Sequence, residues 1–136
     1  MKLLVDTNVI MDVLIGREPF LESSRFVVEL CKERKVQGYL AAHTMTNLFY
    51  ILRKYYPADE CREILLDLLD IFSVLPLDES KIKIALQNRN FKDFEDCLQM
   101  ECGQDAEVDY IVTRNAKDFV TSEIPCLEPS EVRAMF

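Results

Sequence analysis

Short apolar segments alternate with helix-like segments along the chain, and this alternation restricts the possible folds more than any other feature. Parallel strands require a crossover segment between them, and strands that are buried on both faces are apolar throughout. The alternation therefore predicts an α/β fold with a central parallel sheet of about five short strands, covered by helices on both faces. The predicted strands are residues 2–5, 38–42, 73–75, 109–113 and 125–127.

Helices are predicted between these strands because apolar residues recur at i, i+3 and i+4 spacing. Asn90 is predicted to cap the helix that turns Phe94 and Cys97 inward and ends near Gly103. The other predicted helices are residues 9–15, 20–35, 45–56, 61–72, 78–87 and 129–136.

The size and composition of the chain predict one domain without a membrane segment. Its 136 residues, 49% of them hydrophobic, suffice to fill a single core, and no linker or internal repeat interrupts them. No apolar run approaches the ~20 residues that span a bilayer, and Asp6 interrupts the only early apolar stretch. We therefore expect a single domain over residues 1–136, located in the cytoplasm.

Charge and cysteine content narrow the classes of function. The net charge of −8 disfavours nucleic-acid binding by the whole surface, although it leaves room for a local basic rim or a bound metal. The five cysteines include no C-x-x-C pair and the chain has one histidine, so a zinc site or a disulfide framework is disfavoured. We expect most cysteines to be small core residues in a reducing compartment.

Acidic and amide side chains stand beyond the carboxyl ends of predicted strands, where open parallel sheets carry functional groups. Asp6 follows the first strand and Asn115 follows the fourth. Asp93 and Asp96 lie one helical turn apart, and Asp96 borders an apolar stripe. Converging carboxylates repel one another unless a cation neutralises them, and oxygen ligands suit Mg²⁺ or Mn²⁺ rather than zinc. Such a cation activates water and stabilises the phosphate of an in-line displacement.

Structural roles explain several of these residues equally well. Asp6 is also a strand-end turn or capping residue. Asp93 and Asp118 each follow an asparagine at the spacing of a helix cap. Asp96 is harder to explain in this way, because an acidic side chain beside a core stripe raises the free energy of the folded state unless it is paired. Triad chemistry and nucleotide cofactors are disfavoured, since the chain lacks a nucleophile elbow, a G-x-G-x-x-G motif and a P-loop.

Three segments of the sequence share the order and spacing of a known set of motifs. They read LLVDTNVI at residues 3–10, DFEDCLQ at residues 93–99 and DYIVTRNAKDF at residues 109–119. Together they resemble the PIN domain family, over residues 2 to about 129 of the chain. The resemblance implies a three-layer α/β/α fold around a central parallel sheet. It also implies a metal-dependent ribonuclease, often the toxin of a bacterial toxin–antitoxin pair.

The resemblance also implies roles for single residues. Asp6 matches the first acidic residue of the family, with Asn8 beside it as a supporting polar group. Asp96 matches the acidic residue of the later helix, with Asp93 one turn before it. The catalytic candidates are therefore Asp6, Asp93, Asp96 and Asn115.

The family's remaining acidic positions carry amides in this chain. Asn47 stands where the family has its second acidic residue, and Asn115 occupies the fourth position, with Asp118 close by. Because amides carry no charge, they lower the negative charge that holds a metal. Thr113 is a candidate to hydrogen-bond a metal-bound water or a phosphate oxygen. The candidate ligands for Mg²⁺ or Mn²⁺ are Asp6, Asp93, Asp96, Asn47 and Asn115, supported by Asn8, Thr113 and Asp118.

The residues leave open two hypotheses of different classes. The first is an active ribonuclease whose rim contacts an RNA strand through basic residues. These RNA-contact candidates are Arg89, Lys92, Arg114 and Lys117. The second is a PIN-like module that binds a partner protein or RNA without cleavage, which Asn47 and the acidic charge balance favour. An antitoxin protein and a second copy of the chain are the further expected partners, the latter through the helices near Tyr55, Tyr56 and residues 65–72.

Overall fold

Five short strands form one parallel sheet in a computed structural model that describes all 136 residues. The strands are β1 (Lys2–Val5), β2 (Gln37–Ala41), β3 (Ser73–Leu75), β4 (Tyr110–Val112) and β5 (Cys126–Leu127). Their order across the sheet is β3-β2-β1-β4-β5, and every neighbouring pair is parallel. The predicted α/β class and the predicted number of strands are confirmed.

Seven α-helices connect the strands and cover the sheet. They are α1 (Thr7–Leu14), α2 (Leu21–Lys32), α3 (Ala42–Leu52), α4 (Ala58–Leu69), α5 (Glu79–Gln87), α6 (Phe94–Asp105) and α7 (Pro129–Met135). A short 3₁₀ helix spans Ala116–Phe119. None of the helices combines the length and apolar character needed to cross a membrane.

The central strand β1 supplies side chains to two hydrophobic cores, one on each face of the sheet. Leu3 and Val5 belong to the core formed with α1, α2, α3 and α4. Leu4 belongs to the core formed with α5 and α6. All three side chains are fully buried. Since successive side chains of a strand point to opposite faces, the arrangement has three layers, α/β/α.

Polar caps, rather than the first apolar residues, fix the starts of α1 and α6. The carboxylate of Asp6 accepts the N–H of Thr7, so α1 begins at once after β1. Asp93 caps α6, and Asn90 lies in the preceding loop, so the predicted cap at Asn90 is wrong. Phe94, predicted to point inward, is the first residue of α6 and is 43% exposed.

Another predicted helix is shifted at both ends. The helix predicted over residues 45–56 begins at Ala42, directly after β2, and ends at Leu52. Tyr55 and Tyr56 therefore follow the helix in a turn closed by hydrogen bonds to the carbonyl of Leu52.

All five cysteines are free. Cys31, Cys61, Cys97 and Cys102 are buried core residues, as the sequence predicted. Burial raises the pKa of the fifth thiol, that of Cys126, to about 11, with a further contribution from the charge of Asp6.

Candidate active site

An open cavity of about 450 Å³ lies beside the carboxyl end of β1. Residues that follow β1 and β4 meet residues of α3 and α6 around it. Five carboxylates and one guanidinium group line this cavity, so its electrostatic potential is negative. The charged lining residues are Asp6, Asp93, Glu95, Asp96, Asp118 and Arg17. We call it the acidic cavity.

The carboxylate of Asp6 is held by hydrogen bonds from four donors. Its Oδ1 accepts from the backbone N–H of Thr7 at 2.7 Å and from Gln99 Nε2 at 3.3 Å. Its Oδ2 accepts from the hydroxyl of Thr113 at 2.8 Å and from Asn8 Nδ2 at 3.2 Å. Asp6 therefore caps α1 and is also fixed in orientation by groups from the end of β4 and from α6.

Thr113 and Asn8 connect Asp6 to the end of β4. The Thr113 side chain is fully buried, and its oxygen also accepts from the N–H of Asn115 at 3.0 Å. Asn8 Oδ1 accepts from the N–H of Arg114 at 3.2 Å. Thr113 lies outside the lining of the acidic cavity and its hydroxyl hydrogen is used by Asp6. The predicted contact of Thr113 with a water or a phosphate is therefore replaced by a contact with Asp6.

Of the two half-buried carboxylates of the cavity, those of Asp6 and Asp96, that of Asp96 has the less compensated charge. It lies half-buried in the first turn of α6, and no group of the chain donates a hydrogen bond to its carboxylate. Burial raises the pKa of Asp96 to about 7, and neighbouring carboxylates add to the increase. In decreasing order, these are the carboxylates of Asp93, Asp6, Asp118 and Glu95.

The remaining predicted ligands reach the same cavity from three elements. Asp93 is the N-cap of α6, and its Oδ1 accepts from the N–H of Asp96 at 2.9 Å. Asn47 lies on α3, and Asn115 precedes the 3₁₀ helix that carries Asp118. The structure therefore brings all five candidate ligands to one cavity, although they come from distant parts of the sequence.

Two residues of α6 without an assigned role in the sequence analysis take part in the site. Asn47 Nδ2 donates a hydrogen bond to Glu95 Oε1, so a carboxylate stands next to this amide. Gln99 is 2% exposed and donates to Asp6, while its own Oε1 is buried without a partner. A polar residue within an apolar stripe is the signal that points to Gln99. No sequence signal pairs Glu95 with Asn47.

His43, on α3, does not neutralise these carboxylates. Burial lowers the pKa of His43, against the opposing effect of Glu95 and Asp6, and its Nδ1 is buried without a partner. The imidazole is therefore neutral near pH 7.

The predicted RNA-contact residues lie in different places. Lys92 and Lys117 line a second cavity of about 560 Å³, which shares Asp93, Asp96 and Asp118 with the acidic cavity. Arg89 is exposed in the loop before α6 and lines neither cavity. We call the second one the lysine cavity.

Arg114 points away from the acidic cavity. Its Nε donates to the buried carboxylate of Asp12 at 2.7 Å. Arg17, which lies in none of the sequence motifs, donates to the other oxygen of Asp12 at 3.4 Å and lines the acidic cavity. The position of the Arg17 side chain depends on its contact with the buried Asp12, and no local sequence pattern indicates that contact.

The donor set of the acidic cavity fits a hard divalent cation. Carboxylate and amide oxygens line it, without thiol or imidazole groups. The carboxylate of Asp96 has no internal partner, which leaves it free for a cation. No group of three or more acidic, histidine or cysteine side chains is arranged to hold a metal by itself. Mg²⁺ is usually bound through one or two carboxylates together with waters and substrate phosphates, and this donor set matches that mode.

Comparison with known proteins identifies the family. The sequence model of the PIN domain matches residues 2–117, and the chain belongs to the PIN domain family. The chain is also similar to Ribonuclease VapC1 of Aquifex aeolicus (strain VF5), with 25% identity over 134 residues. That alignment covers 96% of this chain and 92% of the relative.

Solved structures share the fold. The chain is similar to a chain in the crystal structure of VapBC2 from Rickettsia felis bound to a DNA fragment from their promoter, with a TM-score of 0.72 and 14% identity. It is also similar to a chain of FitAcB from Neisseria gonorrhoeae, with a TM-score of 0.70 and 22% identity. Both comparisons cover 94% of this chain and 98% of the other.

Proposed function

We propose that this PIN domain protein is a metal-dependent ribonuclease that hydrolyses RNA phosphodiester bonds and acts in the cytoplasm as the toxin of a toxin–antitoxin pair. The observation that carries the proposal is the Asp96 carboxylate, which has no internal partner and faces four other carboxylates. Like charges gathered at the carboxyl ends of parallel strands raise the free energy of the folded chain unless a cation neutralises them.

Mg²⁺ or Mn²⁺ would be held by the candidate ligands, with Glu95 adding the negative charge that Asn47 does not carry. The ligands are Asp6, Asp93, Asp96, Asn47 and Asn115. When bound, the cation neutralises the carboxylates, polarises the phosphodiester and activates water for attack.

The chain itself supplies orientation and a path for the RNA. Asp6 is fixed before any ligand binds, because four donors already set the plane of its carboxylate. Lys92 and Lys117 stand beside Asp96, where they offset the negative charge for an approaching phosphate backbone. Arg17 offers a positive charge within the acidic cavity.

An antitoxin protein is the proposed partner of this ribonuclease. The relative from Aquifex aeolicus is named a VapC ribonuclease, and the VapBC and FitAcB structures share the fold of the chain. Exposed apolar side chains on and after α3 and on α4 supply surface for such a partner or for a second copy of the chain. They include Tyr50, Tyr55, Leu66 and Leu69.

The test is cleavage of RNA by the purified chain during titration with Mg²⁺ and with Mn²⁺, compared with Asp6→Asn and Asp96→Asn. We expect cleavage that requires added cation and is lost in both variants. Asp67→Asn, an exposed acid on α4, is the matched control and should cleave like the unmodified chain. Cleavage that is independent of the cation, or that survives both substitutions, would overturn the site assignment.

A non-catalytic module is the second candidate, and the saturated hydrogen bonding of Asp6 favours it. A carboxylate with four internal donors is stable without a cation. This candidate expects RNA or protein binding that is unaffected by Mn²⁺, and no cleavage at any cation concentration.

A further inference from the structure

A third cavity, of about 270 Å³, lies behind the acidic cavity on the far side of a buried ion-pair cluster. Its lining combines one arginine and three serines with one exposed aromatic ring and two prolines. The residues that matter here are Arg114, Ser23, Ser24, Ser130, Phe20 and Glu128. We call it the Arg114 cavity.

Asp12 joins the Arg114 cavity to the acidic cavity. Its fully buried carboxylate accepts from Arg17 at one oxygen, and from Ser24 and Arg114 at the other. Arg17 lines the acidic cavity and Arg114 lines the cavity behind it. Because one carboxylate balances two guanidinium groups, the cluster keeps one net positive charge, which is shared between the two cavities.

Arg114 is fixed and still has free donors. Its Nε is bonded to Asp12 at 2.7 Å, and its guanidinium group lies 3.8 Å from the ring centre of Phe20. These contacts leave both Nη atoms without a hydrogen bond to the chain, although the side chain is only 19% exposed. A rigid guanidinium edge with free N–H groups is suited to a phosphate.

The other lining groups are compatible with a nucleotide. The hydroxyls of Ser23 and Ser130 make no hydrogen bond within the chain, and Phe20 is 37% exposed. Glu128 is the one carboxylate, and it is engaged with the N–H of Glu131 in the cap of α7. An arginine beside an exposed aromatic ring is the usual arrangement for binding single-stranded nucleic acid, since a base stacks and a phosphate pairs.

We propose that the Arg114 cavity is a subsite for the nucleotide that neighbours the one at the acidic cavity, with its phosphate on Arg114 and its base against the part of the Phe20 ring that Arg114 leaves exposed. The proposal rests on the proposed ribonuclease function. We expect an RNA strand to bind in preference to a free nucleotide, because the Arg17–Asp12–Arg114 cluster connects the two cavities and a strand has phosphates for both.

The test measures binding of a fluorescent mononucleotide and a fluorescent hexanucleotide of single-stranded RNA in Mn²⁺. All proteins carry Asp96→Asn so that cleavage does not interfere. Phe20→Leu removes the stacking surface, and Ser23→Glu places a negative charge in the cavity while keeping the Asp12 cluster intact. Ser23 lies in the first turn of α2, where an acidic side chain suits the helix dipole, so this variant is expected to fold.

Matched controls separate the subsite from general effects. Ser80→Glu adds the same charge in the first turn of α5, and Arg62→Gln removes an arginine that stacks on a different ring, that of Phe49. Thermal melting verifies that each variant is folded.

We expect Phe20→Leu and Ser23→Glu to weaken hexanucleotide binding about fivefold or more, and to leave mononucleotide binding unchanged, because a single nucleotide does not span both cavities. Arg114→Gln, where it folds, should also lower the slope of log affinity against log salt by about 0.7, as for one lost phosphate contact. Both controls should bind like the parent.

Three results would overturn the proposal. Unchanged hexanucleotide affinity in Phe20→Leu and Ser23→Glu would rule out the subsite. In that case, RNA cleavage by the unmodified chain would still support the proposed function. Equal weakening of mononucleotide and hexanucleotide binding, or equal weakening by the controls, would show a general effect. Failure of the unmodified chain to bind or cleave any RNA would overturn the proposed function and the subsite together.

Discussion

Asn47 on α3 donates a hydrogen bond to the carboxylate of Glu95 on α6, so an amide and an acid from two helices meet at the wall of the acidic cavity. The uncharged amide at position 47 is thus adjacent to a carboxylate that another helix supplies. This contact determines what happens when the amide is replaced by an acid.

Asn47→Glu replaces the donor with a second carboxylate next to Glu95. Without cation, we expect the melting temperature to fall by several degrees, corresponding to about 1 kcal/mol, because the two charges repel. In the double variant Asn47→Glu/Glu95→Gln, position 95 supplies the donor and position 47 the acceptor. This variant should recover most of the lost melting temperature. Differential scanning calorimetry in a chelating buffer measures both.

Mn²⁺ provides the second half of this test. If the cavity holds a cation, Mn²⁺ should stabilise Asn47→Glu more than it stabilises the unmodified chain, since a charged ligand replaces a neutral one. No effect of Mn²⁺ on either protein would exclude the metal site.

Asp96→Asn should change the pH dependence of stability. The folded pKa of Asp96 is about 7, above the ordinary value of 3.8, so the native state binds the proton more tightly than the unfolded chain. The free energy of unfolding therefore declines as pH rises between these two values, and the full destabilisation by the ionised Asp96 is present above pH 7. In chelating buffer, Asp96→Asn should be more stable than the unmodified chain at pH 8 by about 1 to 2 kcal/mol.

The difference should vanish near pH 4, where Asp96 is protonated in the folded protein and the penalty is absent. Urea denaturation at several pH values gives the profile, with Asp67→Asn as the exposed control. A loss of several kcal/mol in Asp96→Asn would instead identify a structural carboxylate.

Gln99→Leu should separate activity from stability. It removes a buried amide oxygen that has no partner, and one of the donors to Asp6. Because these effects oppose each other, the free energy of unfolding should change by less than about 1 kcal/mol. Metal-dependent cleavage should fall several-fold, since Asp6 loses part of its orientation. Gln104→Leu, on the same helix and bonded to Glu123, should leave cleavage unchanged.

Asp12→Asn should be the most destabilising of these substitutions. It removes the counter-charge of Arg17 and Arg114 and introduces an NH₂ group among donors, so we expect a loss of about 3 kcal/mol or more. Arg133→Gln, which breaks the exposed pair with Glu22, should cost less than about 1 kcal/mol. Similar losses for both variants in urea denaturation would contradict the role of Asp12.

The sequence predicted the sheet and the position of Asp6 because both depend on local patterns. Apolar runs locate the buried strands, and the parallel order brings Asp6 and Asn115 to one edge. The direction of Arg114 was not predictable in this way. It is set by Asp12, a buried acid on α1, and a contact between residues so far apart in sequence leaves no local periodicity.

The start of α6 illustrates a different difficulty. Asn90 and Asp93 are both plausible N-caps, since each has a short polar side chain before an apolar stripe. The choice of Asp93 places Asp96 in the first turn, at the cavity, and leaves Phe94 exposed. Gln99 had a visible signal, a polar residue among apolar ones, but its partner Asp6 is identified only once the helix packs on the sheet.

The burial of the native thiols makes the chain suitable for site-specific fluorescent labelling. Four cysteines lie in the core, and the pKa of the fifth, Cys126, is raised to about 11, so its reactive thiolate is scarce at neutral pH. A single cysteine introduced on the surface should therefore react with maleimide dyes far faster than any native one. The dye would then report on ligand binding in an otherwise unmodified protein.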